Sequence, residues 1–203
     1  MSPGTNPSEV LGALSQRTRL TQYRGPHDDP EPRSGGWVAA VAVILRPGRT
    51  SPETLLIERA KADEDPWSGH MAFPGGRRDQ EDHSLLETAI RETREETAIE
   101  LDVYGKALGQ LQVVQPEGRG LPEVTILPLV FAVPARTSAR TDSAEVAQTF
   151  WVPISHFRDS QARTAYRLQV EDRTVSFPAI AIEDRVVWGL TRRILQDLLN
   201  RIP

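Results

Sequence analysis

Three carboxylates, Glu92, Glu95 and Glu96, fall close together beside Arg91 and shortly after the double glycine Gly75-Gly76. Like charges a helical turn apart repel, so the cluster calls for either solvent or a counter-ion. If the stretch is helical, Glu92 and Glu96 at i and i+4 project to one side, with Glu95 beside them. Two readings stand at this point. One is a solvated helix face laced by Arg78, Arg91 and Arg94. The other is a site for a hard divalent cation such as Mg²⁺, which takes oxygen ligands, keeps several waters and is shared with substrate phosphates. The glycines upstream favour the second reading. They let the main chain approach closely and offer a backbone carbonyl where a Cβ would hinder access. Arg91, next to Glu92 and one turn before Glu95, is placed to orient a carboxylate or meet a phosphate.

The helix that must carry these acids is Ser84 to Thr97, free of Pro and Gly. Leu86, Ile90, Thr93 and Thr97 form one stripe and Leu85, Ala89, Glu92 and Glu96 the next, apolar early and acidic late. Before it, Trp37 to Leu45 reads as a near-continuous apolar strand. Thr54 to Ile57 reads as a second strand ending at Glu58 and Arg59, and AFPGG as extended and then broken. After it come strands from Lys106 to Val114 and Val124 to Val133, and TFWVPISHF as a strand leading into a short helix. Tyr166 to Val170 with Thr174 to Phe177 suggests a hairpin around Asp172 and Arg173. Val186 to Ile202 closes the chain as an amphipathic helix through Val187, Leu190, Ile194 and Leu198. Strands interleaved with two good helices predict an α+β fold, an α/β/α sandwich.

Residues 1–36 hold an amphipathic segment around Val10 to Leu14 and then RGPHDDPEPRSGG, and read as a helical and linker arm ahead of the domain, 37–203. The arm is open between crossing to a second copy, as in a homodimer, and staying mobile.

Composition removes several classes. The chain has 203 residues, no cysteine and a formal charge of -4. Thiolate nucleophiles, disulfide frameworks and Cys-based zinc sites are therefore absent. No global basic field invites duplex nucleic acid, so an anionic ligand must be met locally. The longest apolar run, Trp37 to Leu45, is far short of the roughly 20 residues that cross a bilayer. The N-terminus shows no signal-like apolar core, and the expected location is cytoplasmic, with no membrane or nucleic-acid partner.

The stretch GGRRDQEDHSLLETAIRETREETAI resembles the Nudix box, Gly-x5-Glu-x7-Arg-Glu-U-x-Glu-Glu-x-Gly-U with U aliphatic. Arg91, Glu92, Glu95 and Glu96 match its core in full and Ile99 fills the last aliphatic place. The chain departs from it at four points. Asp82 stands where the first Glu is expected, eight residues separate it from Arg91 where the pattern has seven, Thr93 replaces an aliphatic residue and Ala98 the closing Gly. The extra residue, FPGG from Phe73 to Gly76, and Asp79 with Asp82 resemble the coenzyme A pyrophosphatase branch. So do LLIER (Leu55 to Arg59), Gly69, EVAQTFWVP (Glu145 to Pro153) and VWGLT (Val187 to Thr191). The branch's upstream signature is incomplete, since Ala60 follows Arg59 and the second Arg is missing.

The resemblance implies a Nudix-type α/β/α sandwich with a mixed central sheet, and hydrolysis of a nucleoside diphosphate derivative with Mg²⁺ or Mn²⁺. Coenzyme A or acyl-CoA is the leading substrate. ADP-ribose, NADH or dinucleoside polyphosphates are the first alternative, and a non-catalytic nucleotide-binding module the second. Glu92 and Glu96 would be the principal metal ligands, joined by Glu95 and the Gly75 carbonyl. Arg91 would orient the acids. Asp82 is open between the place of the first Glu and a helix-dipole acid. Glu145, ahead of a late strand, would be a further ligand or the base. Arg59 and Arg78 are candidates for substrate phosphate. Phe73, with Trp67 and Trp188, is a candidate for stacking on adenine, against core packing. His70 and His83 read as surface residues.

Overall fold

In the computed structural model the described residues are 19–33, 35–61, 68–117, 122–141, 143–170 and 173–202. The segment Val10 to Leu14, Trp67 and the hairpin turn at Asp172 lie outside them.

Strand β1 (Trp37–Arg46) is the centre of the molecule. It runs parallel to β6 (Val124–Ala132) over nine rungs, from Trp37 opposite Val124 to Leu45 opposite Ala132. It runs antiparallel to β2 (Glu53–Arg59) and to β4 (Gly75–Arg77). β3 (Met71–Ala72) and β7 (Val146–Pro153) both pair with β2, and β5 (Lys106–Gln110) with β6, which completes a mixed seven-stranded sheet. The apolar run of β1 lacks alternation because both its faces are covered. Val43 and Leu45 enter one core with Ile194, Leu195 and Leu198 of helix α4 (Gly189–Arg201). Ala40, Ala42 and Ile44 enter a second core with Leu85 and Ala89 of helix α1 (Leu85–Thr97). The α/β/α sandwich with a mixed sheet is therefore realised, with one long helix on each face.

Short α2 (Leu101–Tyr104) follows α1, and α3 (Ile154–Arg158) follows β7. A second sheet of three antiparallel strands, β8 (Arg163–Val170), β9 (Arg173–Ile182) and β10 (Arg185–Val187), leads into α4. Among the described residues no helix is long and apolar enough to cross a membrane.

The structure differs from the sequence reading in four places, the first being that the strand expected from Lys106 to Val114 ends at Gln110, with Val114 in an isolated bridge to Ile126. The glycines of FPGG do not break the chain but continue as β4, paired with β1 through Val41 opposite Gly75 and Ala40 opposite Gly76. The closing helix starts at Gly189, because Val186 and Val187 pair with Ala181 and Ile180 in β10 and Gly189 adopts a φ of 58°. The last part of the arm also packs on the domain. Thr21 pairs with Gln110, and Arg19 N–H donates to the Arg201 carbonyl at 3.0 Å.

Candidate active site

Helix α1 brings the acids to the sheet. Ser84 caps it, its hydroxyl accepting from Glu87 N–H at 3.2 Å, while the Glu87 carboxylate accepts from His83 N–H just ahead of the helix at 2.9 Å. Leu85, Thr88, Ala89, Thr93, Glu96 and Thr97 are buried, which rotates the helix so that Glu96 enters the sheet face. Opposite it, β4 is made of glycine for a steric reason. A Cβ on Gly76 would overlap the Glu92 carboxylate, and one on Gly75 would strike the Ala40 carbonyl and the Val41 backbone.

The ladder settles where Gly75 points. Ala42 N–H donates to Pro74 carbonyl at 2.8 Å and Arg78 N–H to Val38 carbonyl at 3.1 Å, so those rungs face β1. Antiparallel rungs alternate, and the Gly75 rung turns its amide groups away from β1. Its N–H donates to Glu96 Oε2 at 2.8 Å. Its carbonyl is likewise outside the β1 ladder.

The electrostatics separate the acids into two kinds. Asp82, 8% exposed, is opposed by burial, yet bonds from Arg91, from Asp79 N–H and from the Thr88 hydroxyl outweigh that and hold it down to about 2. Glu96, 3% exposed, goes the other way. Burial pushes it up, the Gly75 N–H and Arg59 charge oppose, Glu92 and Glu145 add repulsion, and it reaches about 8. Glu92 is also raised, by burial first, and by the charges of Glu95 and Glu145 against the pull of Arg91. Because Glu145 and Arg59 act on Glu96, residues distant in sequence converge with the helix acids. The junction is structural: Ala60 N–H donates to the Glu145 carbonyl at 2.7 Å beside Arg59.

Arg91 is the organiser. It forks onto Asp82 at 2.9 and 3.1 Å, reaches Glu92 at 2.8 Å and Glu95 at 3.3 Å, and donates to the Arg77 carbonyl at 3.2 Å. Ahead of α1 the chain turns, and Asp82 accepts from Asp79 N–H at 2.9 Å. Asp82 is thus a partner of Arg91.

The remaining candidates fall elsewhere. Phe73 is 3% exposed and packs in the core of Leu56, Met71 and Ile194, which removes it as a stacking surface. Arg78 donates to the carbonyls of Asp82 and His83, both at 3.1 Å, and stands 3.5 Å from Asp29, so its guanidinium pins the turn before α1. Its role as a phosphate contact is not supported by that placement. His70 is half-buried against Trp188 and Tyr166 instead of lying free on the surface.

Asp29 went unnoticed in the sequence. It accepts Leu85 N–H at 3.0 Å and the Tyr23 hydroxyl at 2.8 Å, acting as a second cap on α1 from a segment far upstream. Nothing in local spacing could signal it.

Among the described residues no three acidic or histidine side chains are already gathered as a cation cage. Arg91 holds Glu92 and Glu95, and the Gly75 N–H holds Glu96. The donor set nevertheless fits a hard divalent cation. It consists of carboxylate and carbonyl oxygens, Glu96 is left short of positive charge, and all three acids lie in the second half of α1, where the helix dipole is negative.

Known proteins resemble the chain in sequence and in fold. A family model described as NUDIX domain matches residues 36–171. The uncharacterized Nudix hydrolase NudL of Yersinia enterocolitica is 31% identical over 200 residues, 96% of this chain and 98% of that protein. NudL of Photorhabdus laumondii, also uncharacterized, is 32% identical over 165 residues, 79% of this chain and 84% of its own. An uncharacterized protein of Schizosaccharomyces pombe is 36% identical over 123 residues, 59% of this chain and 37% of that protein's length. A crystal structure of a MutT Nudix hydrolase from Burkholderia pseudomallei covers 80% of this chain and 98% of its own at a TM-score of 0.52 and 20% identity, a likeness of fold.

Proposed function

This chain belongs to the Nudix family of hydrolases and is a pyrophosphatase, and from that premise we propose that it cleaves the diphosphate of coenzyme A or an acyl-CoA. The products are 3′,5′-ADP and (acyl-)phosphopantetheine, and the cation is Mg²⁺ or Mn²⁺. The observation that carries the reading is the pair Glu92 and Glu96, both raised by burial above the ordinary carboxylate range and set against the glycines of β4.

Glu92, Glu96, Glu95 and the Gly75 carbonyl would hold the cation. When bound, it neutralises the diphosphate and acidifies the attacking water. Water adds to one phosphorus, the bridging P–O bond breaks, and the two products leave as phosphates. Glu145, exposed beside Arg59, accepts the proton released by the water. Arg59, at the end of β2, meets a phosphate oxygen. Arg91, fixed by Asp82, keeps Glu92 and Glu95 from swinging away.

Coenzyme A is favoured by the FPGG strand, the motif's extra residue, Asp79 with Asp82, and the segments Glu145 to Pro153 and Val187 to Thr191. One observation favours another nucleotide, ADP-ribose, NADH or a dinucleoside polyphosphate: Ala60 follows Arg59, so the branch's second arginine is missing.

The test is turnover by the full chain with Mg²⁺ or Mn²⁺ on coenzyme A, ADP-ribose and NADH in ¹⁸O water, read by mass spectrometry. Highest kcat/KM on coenzyme A supports the proposal. A higher value on ADP-ribose or NADH selects the second reading, and no cleaved anhydride refutes both.

A further inference from the structure

The segment ahead of β1 reaches both long helices. Arg19 N–H donates to the Arg201 carbonyl at the end of α4, and the Arg201 guanidinium returns a bond to the Arg19 carbonyl, both at 3.0 Å. Thr21 and Gln110 exchange backbone bonds at 3.3 and 2.8 Å, which extends the sheet beyond β5. Gly109 keeps that edge clear, since a Cβ there would overlap the Thr21 carbonyl. Tyr23 then packs on the core that holds Leu85 and Ala89 of α1. A tight turn follows, in which Arg24 N–H donates to Asp28 Oδ2 at 2.7 Å and Asp28 N–H to the Gly25 carbonyl at 2.9 Å. Asp29 leaves the turn extended, as a residue before proline does.

The Asp29 side chain is 6% exposed and its carboxylate meets three donors. Leu85 N–H reaches Oδ2 at 3.0 Å, the Tyr23 hydroxyl reaches Oδ1 at 2.8 Å, and the Arg78 guanidinium stands 3.5 Å from Oδ2. Forming α1 does not call for this acid, because Ser84 already caps the helix. A carboxylate out of water costs stability unless it is well bonded. One drawn from 56 residues upstream fixes where the helix stands, not whether it forms. Two routes lead from Asp29 to the acids. The first is the helix itself, a regular rod on which Glu92 and Glu96 keep their places relative to Leu85. The second is Arg78, which donates to the carbonyls of Asp82 and His83 and so holds the turn whose Asp82 carboxylate accepts the Arg91 fork. Arg91 in turn holds Glu92 and Glu95. Both routes end at the same carboxylates.

We propose that Asp29 is a positioning residue for hydrolysis, setting from outside the motif where Glu92 and Glu96 stand against β4 to meet a divalent cation. This rests on the reading of those acids as the metal site. Asp29 acts through Leu85 and Arg78, not by contact with the reacting groups.

The probe is Mn²⁺ alone, its binding to the full chain read from the paramagnetic signal of the free ion. Asp29→Ala should raise the Mn²⁺ dissociation constant about ten-fold, the lower end of what losing a group that orients metal ligands costs. It should lower kcat by a similar factor on the nucleotide that the parent cleaves fastest. Asp29→Asn keeps the shape and one acceptor for Leu85 N–H but loses the charge that faces Arg78. It should fall between parent and alanine, and it carries the test if the alanine chain does not fold. Lost folding alone would lower the number of Mn²⁺ sites and leave their affinity unchanged. Parental Mn²⁺ affinity in the folded variants would overturn the proposal, while turnover by the parent would keep the metal reading. A parent that neither binds Mn²⁺ nor cleaves an anhydride would overturn that reading, and the proposal with it.

Discussion

The two halves of helix α1 carry acids in opposite states. In the first half every acid is answered by the protein. Asp29 and Glu87 accept the amides of Leu85 and His83, and Asp82, just ahead of the helix, receives the Arg91 fork, an amide and the Thr88 hydroxyl. These acids also sit at the positive end of the helix dipole. In the second half Glu92, Glu95 and Glu96 crowd the negative end, and Glu96 is buried with a single amide donor from Gly75 on Oε2. Folding alone would discard that arrangement, because an acid out of water without compensation costs stability. With Glu92 and Glu95 held by Arg91, the contrast separates acids that the protein answers from Glu96, which waits for a ligand.

Removing a waiting acid should damage activity most and the fold least. Glu96→Gln keeps the shape and the acceptor for Gly75 N–H while losing the charge. Its kcat/KM should fall on the order of 10²–10³-fold, the scale of one lost electrostatic group at a reacting centre. Without metal its unfolding midpoint should equal or exceed that of the parent at neutral pH. Near-full turnover under saturating Mg²⁺ would break the comparison at its stronger half.

The pH dependence sharpens it, because the two kinds of acid act with opposite sign. Glu96, pushed up from 4.5 to about 8, keeps a proton in the folded chain that the unfolded chain releases. Its contribution is full below pH 4.5 and is lost as pH rises through about 8. Asp82, held down from 3.8 to about 2, contributes above pH 3.8 and loses that as pH falls through about 2. A tenfold change in proton affinity between the folded and unfolded chain is worth roughly 1.4 kcal/mol, so the alkaline loss should be of the order of a few kcal/mol. Urea unfolding in chelator should show the midpoint falling from weakly acid to alkaline pH, and Mg²⁺ should remove most of the fall. A flat profile without metal would mean that Glu96 is compensated after all.

Breaking the answered half should cost fold and activity together. Asp82→Asn removes the charge that holds Arg91, which leaves a half-buried guanidinium with less than its full set of partners. A loss of about 3 kcal/mol is expected from opening such a pair. Activity should fall about 10- to 100-fold through Glu92 and Glu95, as when groups that orient metal ligands are lost. Thermal unfolding together with kcat at saturating Mg²⁺ checks both. A stability loss with kcat intact would make Asp82 a packing residue only.

Much of this was legible in the chain. Period and spacing gave α1 almost to the residue, the strands either side of it, and the matching acids, because those signals are local. The reversal at FPGG was not legible. Two glycines normally read as a break, and only the depth of the Glu92 carboxylate against Gly76 explains why a strand needs residues without side chains there. Val187 followed a helical period and still became strand, because pairing with Ile180 competes with α4. Asp29 and the burial of Phe73 depend on packing partners far away in sequence, as does the state of Arg78.

A further departure from the family motif, Ala98 at the close of α1, gives the smallest prediction. The helix ends with Ala98 N–H donating to the Arg94 carbonyl at 2.9 Å, and Ala98 itself has φ 55° and ψ 23°. That left-handed conformation brings a Cβ too near the carbonyl and costs about 1–2 kcal/mol for an L-residue, while glycine adopts it freely. Glycine also enlarges the unfolded ensemble, which takes back part of the gain. Ala98→Gly should therefore raise stability by about 0.5–1 kcal/mol in urea unfolding. Since Ala98 lies beyond the last of the acids and its side chain is a single methyl, kcat should change by less than about two-fold. A lower midpoint would show that the chain leaves α1 by another conformation, and the end of the helix that presents Glu96 would then have to be redrawn.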